Sequence, residues 1–329
     1  MRTAWILLGS IASIASACGG ERPSPEGAWP GASGIDVADS GDDDSSDGGG
    51  GGEGVRLDIG GSDEIREGCN YVDLLFVIDN SGSMCDAQQG LAAVLPDLVD
   101  AIFDALPADT DVHVGLTTTS FSPGGQHQQV ACIAQEGPAE IEAAYVTDIT
   151  VEGNGFQGRL FEHDGRSYFA GNTSSEADRG AMAQWFPAAA SAIGCDGGAF
   201  EFSAAAAAYA LDPGNAATNA GFLRDEGGVL VVFVLSNEVD QSPEDLAVYR
   251  EIVRGAKQGC GGDECIVTAG LLAPNCVPAA DPMVWRFLNA FGESPPWGDI
   301  TDFGGYADVV SDALAGAIVD TCESIEPAG

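Results

Sequence analysis

A chain of 329 residues with 45% hydrophobic side chains can build a real core, which excludes wholesale disorder and allows one large α/β domain or two small ones. Its 51 acidic residues outnumber 12 basic ones, for a formal net charge of −39. That balance repels nucleic acid and anionic head groups and attracts cations, so DNA and RNA are excluded as partners.

The chain opens on Met1-Arg2-Thr3, followed by an apolar run over residues 4–14 and by Ala15-Ser16-Ala17 ahead of Cys18. A short positive start, a brief apolar stretch and small residues make residues 1–17 a secretory signal, too short for a transmembrane helix. A cysteine placed directly after small residues resembles the bacterial lipobox. That resemblance implies a lipid on Cys18 and a cell-envelope location, with the lipid as the only membrane contact. Gly19, where an Asp would resemble an inner-membrane retention signal, favours the outer membrane, with its face left open. An ordinary signal peptide cleaved beside a cysteine is the alternative. Residues 18–62 then read as a flexible tether. They include Ser40-Gly41-Asp42-Asp43-Asp44-Ser45-Ser46-Asp47 and five consecutive glycines, 48–52, with too few apolar side chains to offset the entropy of ordering.

A domain is expected over 63–329. Residues 72–78 are nearly all apolar and end at Asp79, as in a strand buried on both faces. Helical spacing of Leu91, Val94, Leu95, Leu98, Val99, Ile102, Phe103 and Leu106 predicts a helix over 91–106. Residues 112–116 form the next strand, running into Thr117-Thr118-Thr119. An irregular insertion of about 120–175 holds His127 and His163. Beyond it come helices over 179–193 and 200–211, a strand over 229–235, a helix over 243–257, a strand over 265–272, a helix over 282–291, a short last strand over 300–303 and a helix over 307–321. This alternation predicts an α/β fold, a doubly wound and mainly parallel sheet flanked by helices. In such sheets function gathers beyond the carboxyl ends of the strands, where Asp79, Thr117–Thr119 and the segment 236–240 all fall.

Asp79-Asn80-Ser81-Gly82-Ser83-Met84 is the motif that carries chemistry. A loop that turns Asp79, Ser81 and Ser83 toward one point presents three hard oxygen donors. Such a set suits Mg2+, or Ca2+ or Mn2+, with water completing the shell. The same residues also read as a helix cap, Asp79 accepting from orphan amides. Here the chain resembles the von Willebrand factor type A family, whose metal-ion-dependent adhesion site begins Asp-x-Ser-x-Ser after the first strand. The matching residues are 69–84, Thr117–Thr119, Gly198-Ala199-Phe200-Glu201 and Asn219-Ala220-Gly221-Phe222-Leu223-Arg224, within a span of roughly 69–322.

The resemblance implies a Rossmann-like fold and a site that binds a protein or glycan, with a partner carboxylate completing the metal shell. It would require Asp79, Ser81 and Ser83 to be exposed. Two positions depart from the family's pattern. Its second loop normally supplies a threonine, whereas Gly194-Cys195-Asp196-Gly197-Gly198 has none and offers Asp196. Asn237 stands where the family has an Asp, leaving Glu238 or Asp240 to make up the charge.

Setting Cys18 aside leaves eight of the nine cysteines, an even number that reads as disulfides in an exported chain; no C-x-x-C knuckle speaks for zinc. A Cys69–Cys322 bridge, as in some relatives, would tie the domain ends, and a Cys85–Cys195 bridge would stiffen the site loops. The rest cannot be paired from sequence. No His-Glu-x-x-His, Gly-x-Ser-x-Gly or phosphate loop occurs. His113 reads as a sheet residue, and His127 and His163 as loop residues. The sequence therefore favours an envelope lipoprotein with a binding domain. The alternative is a scaffold whose metal site is degenerate and whose contacts need no metal; an enzyme ranks third.

Overall fold

The computed structural model describes residues 70–122, 138–148, 153–198, 200–224, 226–274, 282–292, 294–306, 308–309, 318 and 320–321, within the compact unit Leu57–Gly329. The signal segment, Cys18, the tether, His127, Cys69 and Cys322 lie outside the described residues, as does most of the helix expected over 307–321.

Six strands form one sheet: β1 (Tyr71–Ile78), β2 (Asp111–Thr118), β3 (Tyr168–Asn172), β4 (Gly228–Ser236), β5 (Ile266–Leu272) and β6 (Trp297–Asp299), in the order β3-β2-β1-β4-β5-β6. All pairings are parallel except β2–β3. The helices are α1 (Cys85–Ala105), α2 (Pro138–Ala144), α3 (Glu176–Ile193), α4 (Ser203–Leu211), α5 (Leu246–Ala256) and α6 (Met283–Leu288). The expected doubly wound, mainly parallel sheet is thus observed.

Alternation along the strands divides the core into two layers. Leu74, Phe76 and Ile78 of β1, with Val231 and Phe233 of β4, meet Leu95, Val99 and Ile102 of α1 and Met182 and Phe186 of α3. Phe76 sits 4.8 Å from Phe186 and 5.5 Å from Phe233, ring centre to ring centre. Leu75 and Val77, with Val232 and Val234, turn to the other face, against α4 and α5. There Ala204–Ala208 are all fully buried. Small side chains let α4 lie close over the sheet, and the apolar gain comes from backbone approach as much as from side-chain volume.

Three elements differ from the sequence reading. The insertion is not irregular throughout, for it contains α2 and the antiparallel edge strand β3. The last strand lies at Trp297–Asp299, not at 300–303, because Asp299 Oδ1 accepts from Thr301 N at 2.8 Å and turns the chain away. Helix α1 begins at Cys85, six residues ahead of the first apolar repeat, since a 3-10 turn over Gly82–Met84 feeds straight into it.

Two disulfides are described. Cys85–Cys195 joins the start of α1 to the loop after α3, as envisaged, and Cys260–Cys265 closes a short loop before β5. At the opposite end of the sheet, buried Asp73 accepts from the Arg224 guanidinium at 2.6 and 2.8 Å and from its backbone N at 2.9 Å. Arg224 also lies 4.7 Å over the Tyr71 ring. His113, half-buried on β2 as expected of a sheet residue, holds the Phe222 carbonyl through Nδ1 at 2.6 Å. Burial lowers its pKa, a hydrogen bond to Phe222 opposing the shift.

Candidate metal centre

Strand register assembles the site. Ile78 pairs with Thr118 on one side and Leu235 on the other, so the next residues, Asp79, Thr119 and Ser236, lie side by side at the carboxyl edge. Two backbone bonds continue the ladder past the last pair, Asp79 N to Leu235 O at 2.9 Å and Thr119 N to Ile78 O at 3.2 Å.

Asp79 is fully buried. Its Oδ1 accepts from Ser81 N at 2.9 Å and its Oδ2 from Ser236 Oγ at 2.8 Å. Ser81 Oγ and Ser83 Oγ stand 2.8 Å apart. Both hydroxyls donate to Glu238 Oε1, Ser81 at 3.3 Å and Ser83 more closely. Asn237 grips Ser83 from the other side, its Oδ1 2.9 Å from the hydroxyl and its Nδ2 3.2 Å from the carbonyl. The three side chains of the motif therefore lie together, with Asn237 beside them. A serine hydroxyl that donates its proton to a carboxylate keeps its lone pairs available for a cation.

The exposure that the metal-dependent mechanism would require is met only in part. Asp79 and Ser81 are fully covered, while Ser83 is only half-buried and Gly82 is exposed. The loop after α3 is fastened beside the motif by the Cys85–Cys195 bridge, by Gln88 donating to Gly194 O and by Gly197 N donating to Asn80 O at 2.8 Å.

Other residues named from sequence divide. Asp196 lies in that loop with its side chain exposed. Asp240 is spoken for elsewhere: it accepts from Ser242 N at 2.9 Å, Ser242 Oγ at 2.6 Å and Ala204 N at 3.0 Å. That cap on the first turn of α4 uses the partial positive charge of the helix end. Burial raises the Asp240 pKa, opposed by those bonds. Of the two carboxylates available to replace the missing Asp, Glu238 is the one at the motif. Thr117 and Thr118 turn to the Gly155 carbonyl, leaving Thr119 facing inward.

Glu201 is the residue the sequence reading left without a role. It is fully buried, and Oε2 accepts from Thr119 Oγ1. Its Oε1 has no hydrogen-bond partner but Asp79. Burial and the neighbouring Asp79 and Glu238 charges push its pKa well above the ordinary range, with Thr119 opposing. Burial likewise raises Asp79, against the bonds from Ser81 and Ser236. Glu201 and Asp79 are also hydrogen-bonded to each other through their side chains, which raises Glu201 and lowers Asp79, so the two buried acids hold a proton between them. Among the described residues no three His, Cys, Asp or Glu side chains are arranged to hold a metal ion; a cation here would need hydroxyl as well as carboxylate donors. That Glu201 oxygen and the oxygen-only donor set fit such an ion.

Beside the site lies a groove of about 820 Å3, lined by Tyr145, Tyr209, Glu142 and the turn from Asp240 to Glu244. Tyr145 stacks on Phe121 at 4.9 Å and meets Phe202 edge-on at 5.2 Å.

No family model matches the chain, and no curated protein is similar to it in sequence. Among solved structures it is similar to a von Willebrand factor type A protein from Catenulispora acidiphila, at 14% identity, 76% coverage of this chain and 43% of that one, with a TM-score of 0.41. The pilus adhesin SpaC from Lactobacillus rhamnosus GG, in its open conformation, is 16% identical, over 78% of this chain and 30% of that one, at a TM-score of 0.37. Proximal thread matrix protein 1 of the mussel byssus is 12% identical, over 74% and 46%, at 0.38. The chain thus spans less than half the length of each of these proteins.

Proposed function

We propose that this chain is a binding protein of the bacterial cell envelope, non-enzymatic, held by a lipid on Cys18 and reaching its partner through a tether over 18–62. The binding edge is the loop cluster at the carboxyl ends of β1, β2 and β4, with a divalent cation, Mg2+ or else Ca2+ or Mn2+, at Asp79, Ser81 and Ser83. The observation that carries this reading is the convergence of Asp79, Ser81 and Ser83 with Glu238 at the edge where parallel strands gather their sites. Glu238 and Asn237 orient the two serine hydroxyls. A partner, protein or glycan, approaches past Ser83 and Asn237, the half-buried side of the motif, and its carboxylate or other oxygen completes the shell.

The burial of Asp79 and Ser81 favours a second reading, in which the edge is structural and partner contacts are metal-independent. Thermal unfolding of the full chain separates the two, run in EDTA and then with each cation, alongside Asp79→Ala. An ion that binds only the native state adds roughly 2.7 kcal/mol at a hundredfold excess over its dissociation constant. A cation-dependent rise that Asp79→Ala abolishes supports the binding site. The same melting point with and without every cation refutes it and leaves the scaffold.

A further inference from the structure

We infer that Glu201 is a ligand of the cation proposed above, a second carboxylate beside Asp79. This rests on the metal reading and deepens it.

The main chain aims the side chain. Glu201 N donates to Gln241 Oε1 at 2.9 Å, and Glu201 O accepts from Gln241 N at 2.7 Å. Phe202 N donates to Thr119 O at 3.2 Å. With the backbone fixed on both flanks, the carboxylate is directed toward Thr119 and Asp79. One oxygen is used by Thr119; the other is buried with no donor but Asp79, to which Glu201 can hydrogen-bond only while one of the two acids is protonated. Ionising a carboxylate in that state is strongly unfavourable, and proximity to Asp79 makes it more so. A divalent ion between the two acids removes both penalties at once. It would draw on Asp79 and Glu201 for charge and on Ser81 and Ser83 for neutral oxygens.

The charge balance then identifies what a partner donates. Asp79 and Glu201 as ligands already cancel a divalent cation, and Glu238 on the two serine hydroxyls adds a third negative charge beside it, so a partner's carboxylate gains little by joining them. A neutral oxygen suits the remaining position better, a carbonyl or a glycan hydroxyl.

The decisive variant is Glu201→Gln in the full chain, compared with the unaltered protein and with Asp196→Asn, whose side chain lies exposed in the loop after α3. Calorimetric titration with CaCl2, MgCl2 or MnCl2 gives the affinity, and melting in EDTA gives the metal-free stability. Gln keeps the acceptor for Thr119 and supplies an amide that can donate to Asp79, so Glu201→Gln is expected to melt higher than the parent in EDTA. It is also expected to lose cation affinity by about a hundredfold or more, while Asp196→Asn stays at the parent value. These two opposite shifts are not what a merely structural glutamate would give. Parent-like affinity in Glu201→Gln overturns the assignment of Glu201 and leaves the Asp79 site standing. Absence of cation binding by the parent protein overturns the metal reading itself.

Discussion

The Cys85–Cys195 bridge spans 110 residues of sequence and the Cys260–Cys265 bridge only 5, so the two should differ sharply in what they contribute. A cross-link acts chiefly on the unfolded chain, and the loop-closure relation gives about 4.8 kcal/mol for the long loop against about 2 kcal/mol for the short one. Cys265 is fully buried, and truncating it adds about 1 kcal/mol for the cavity. The expected gap between Cys85→Ala/Cys195→Ala and Cys260→Ala/Cys265→Ala is then about 1.8 kcal/mol, with the long bridge costing more. Urea denaturation with linear extrapolation measures both. The long-bridge variant should also show the larger m-value, because its unfolded chain opens further. Equal losses, or a greater loss from the short bridge, would refute the reasoning. Such a result would mean that Gly197 N on Asn80 O and the residual compactness of the unfolded chain already do what the cross-link does.

Three further outcomes are expected. Arg224→Met keeps an aliphatic stem near Tyr71 but strands the buried Asp73 carboxylate, and should cost about 3–5 kcal/mol; an added Asp73→Asn should recover part of that in urea denaturation. Ala206→Leu places three extra carbons where α4 lies fully buried against its neighbours, and should cost about 1–3 kcal/mol in the same assay. In EDTA, stability should fall as pH rises from the ordinary carboxylate range, because the unfolded chain has released protons that folded Asp79 and Glu201, both shifted upward, still hold. Melting curves across that window check the sign, and Glu201→Gln should flatten the slope.

Much of this architecture was legible because the central strands are buried on both faces. The runs at 72–78 and 229–235 have no polar alternation to confuse them, and the Asp that ends the first run marks the carboxyl edge. Strand β3 was not legible, since in Tyr168–Asn172 only Phe169 is buried and the remaining positions carry no period. In the candidate site, the spacing of Asp79, Ser81 and Ser83 after a buried strand marks the motif, whereas Asn237 is singled out only by the family resemblance. Glu238 and Asp240, two residues apart, could not be separated without knowing which one α4 would claim for its first turn. Glu201 was hidden for a different reason. An acid just ahead of an alanine-rich helix reads as favourable first-turn charge, and only its pairing with Gln241 turns it inward. The register that sets Thr119 beside Asp79 does the rest.

The ends of the sheet bear on how copies of this protein would meet. Among the described residues the sheet stops at β6, three residues long and closed by the Asp299 turn, and at β3, which runs against its neighbour and carries Gly171 and Asn172 at its end. Neither margin offers the long, flat, apolar template on which another chain could stack by strand addition. Crowding many such domains together should therefore leave them as separate particles, kept apart further by their mutual negative charge.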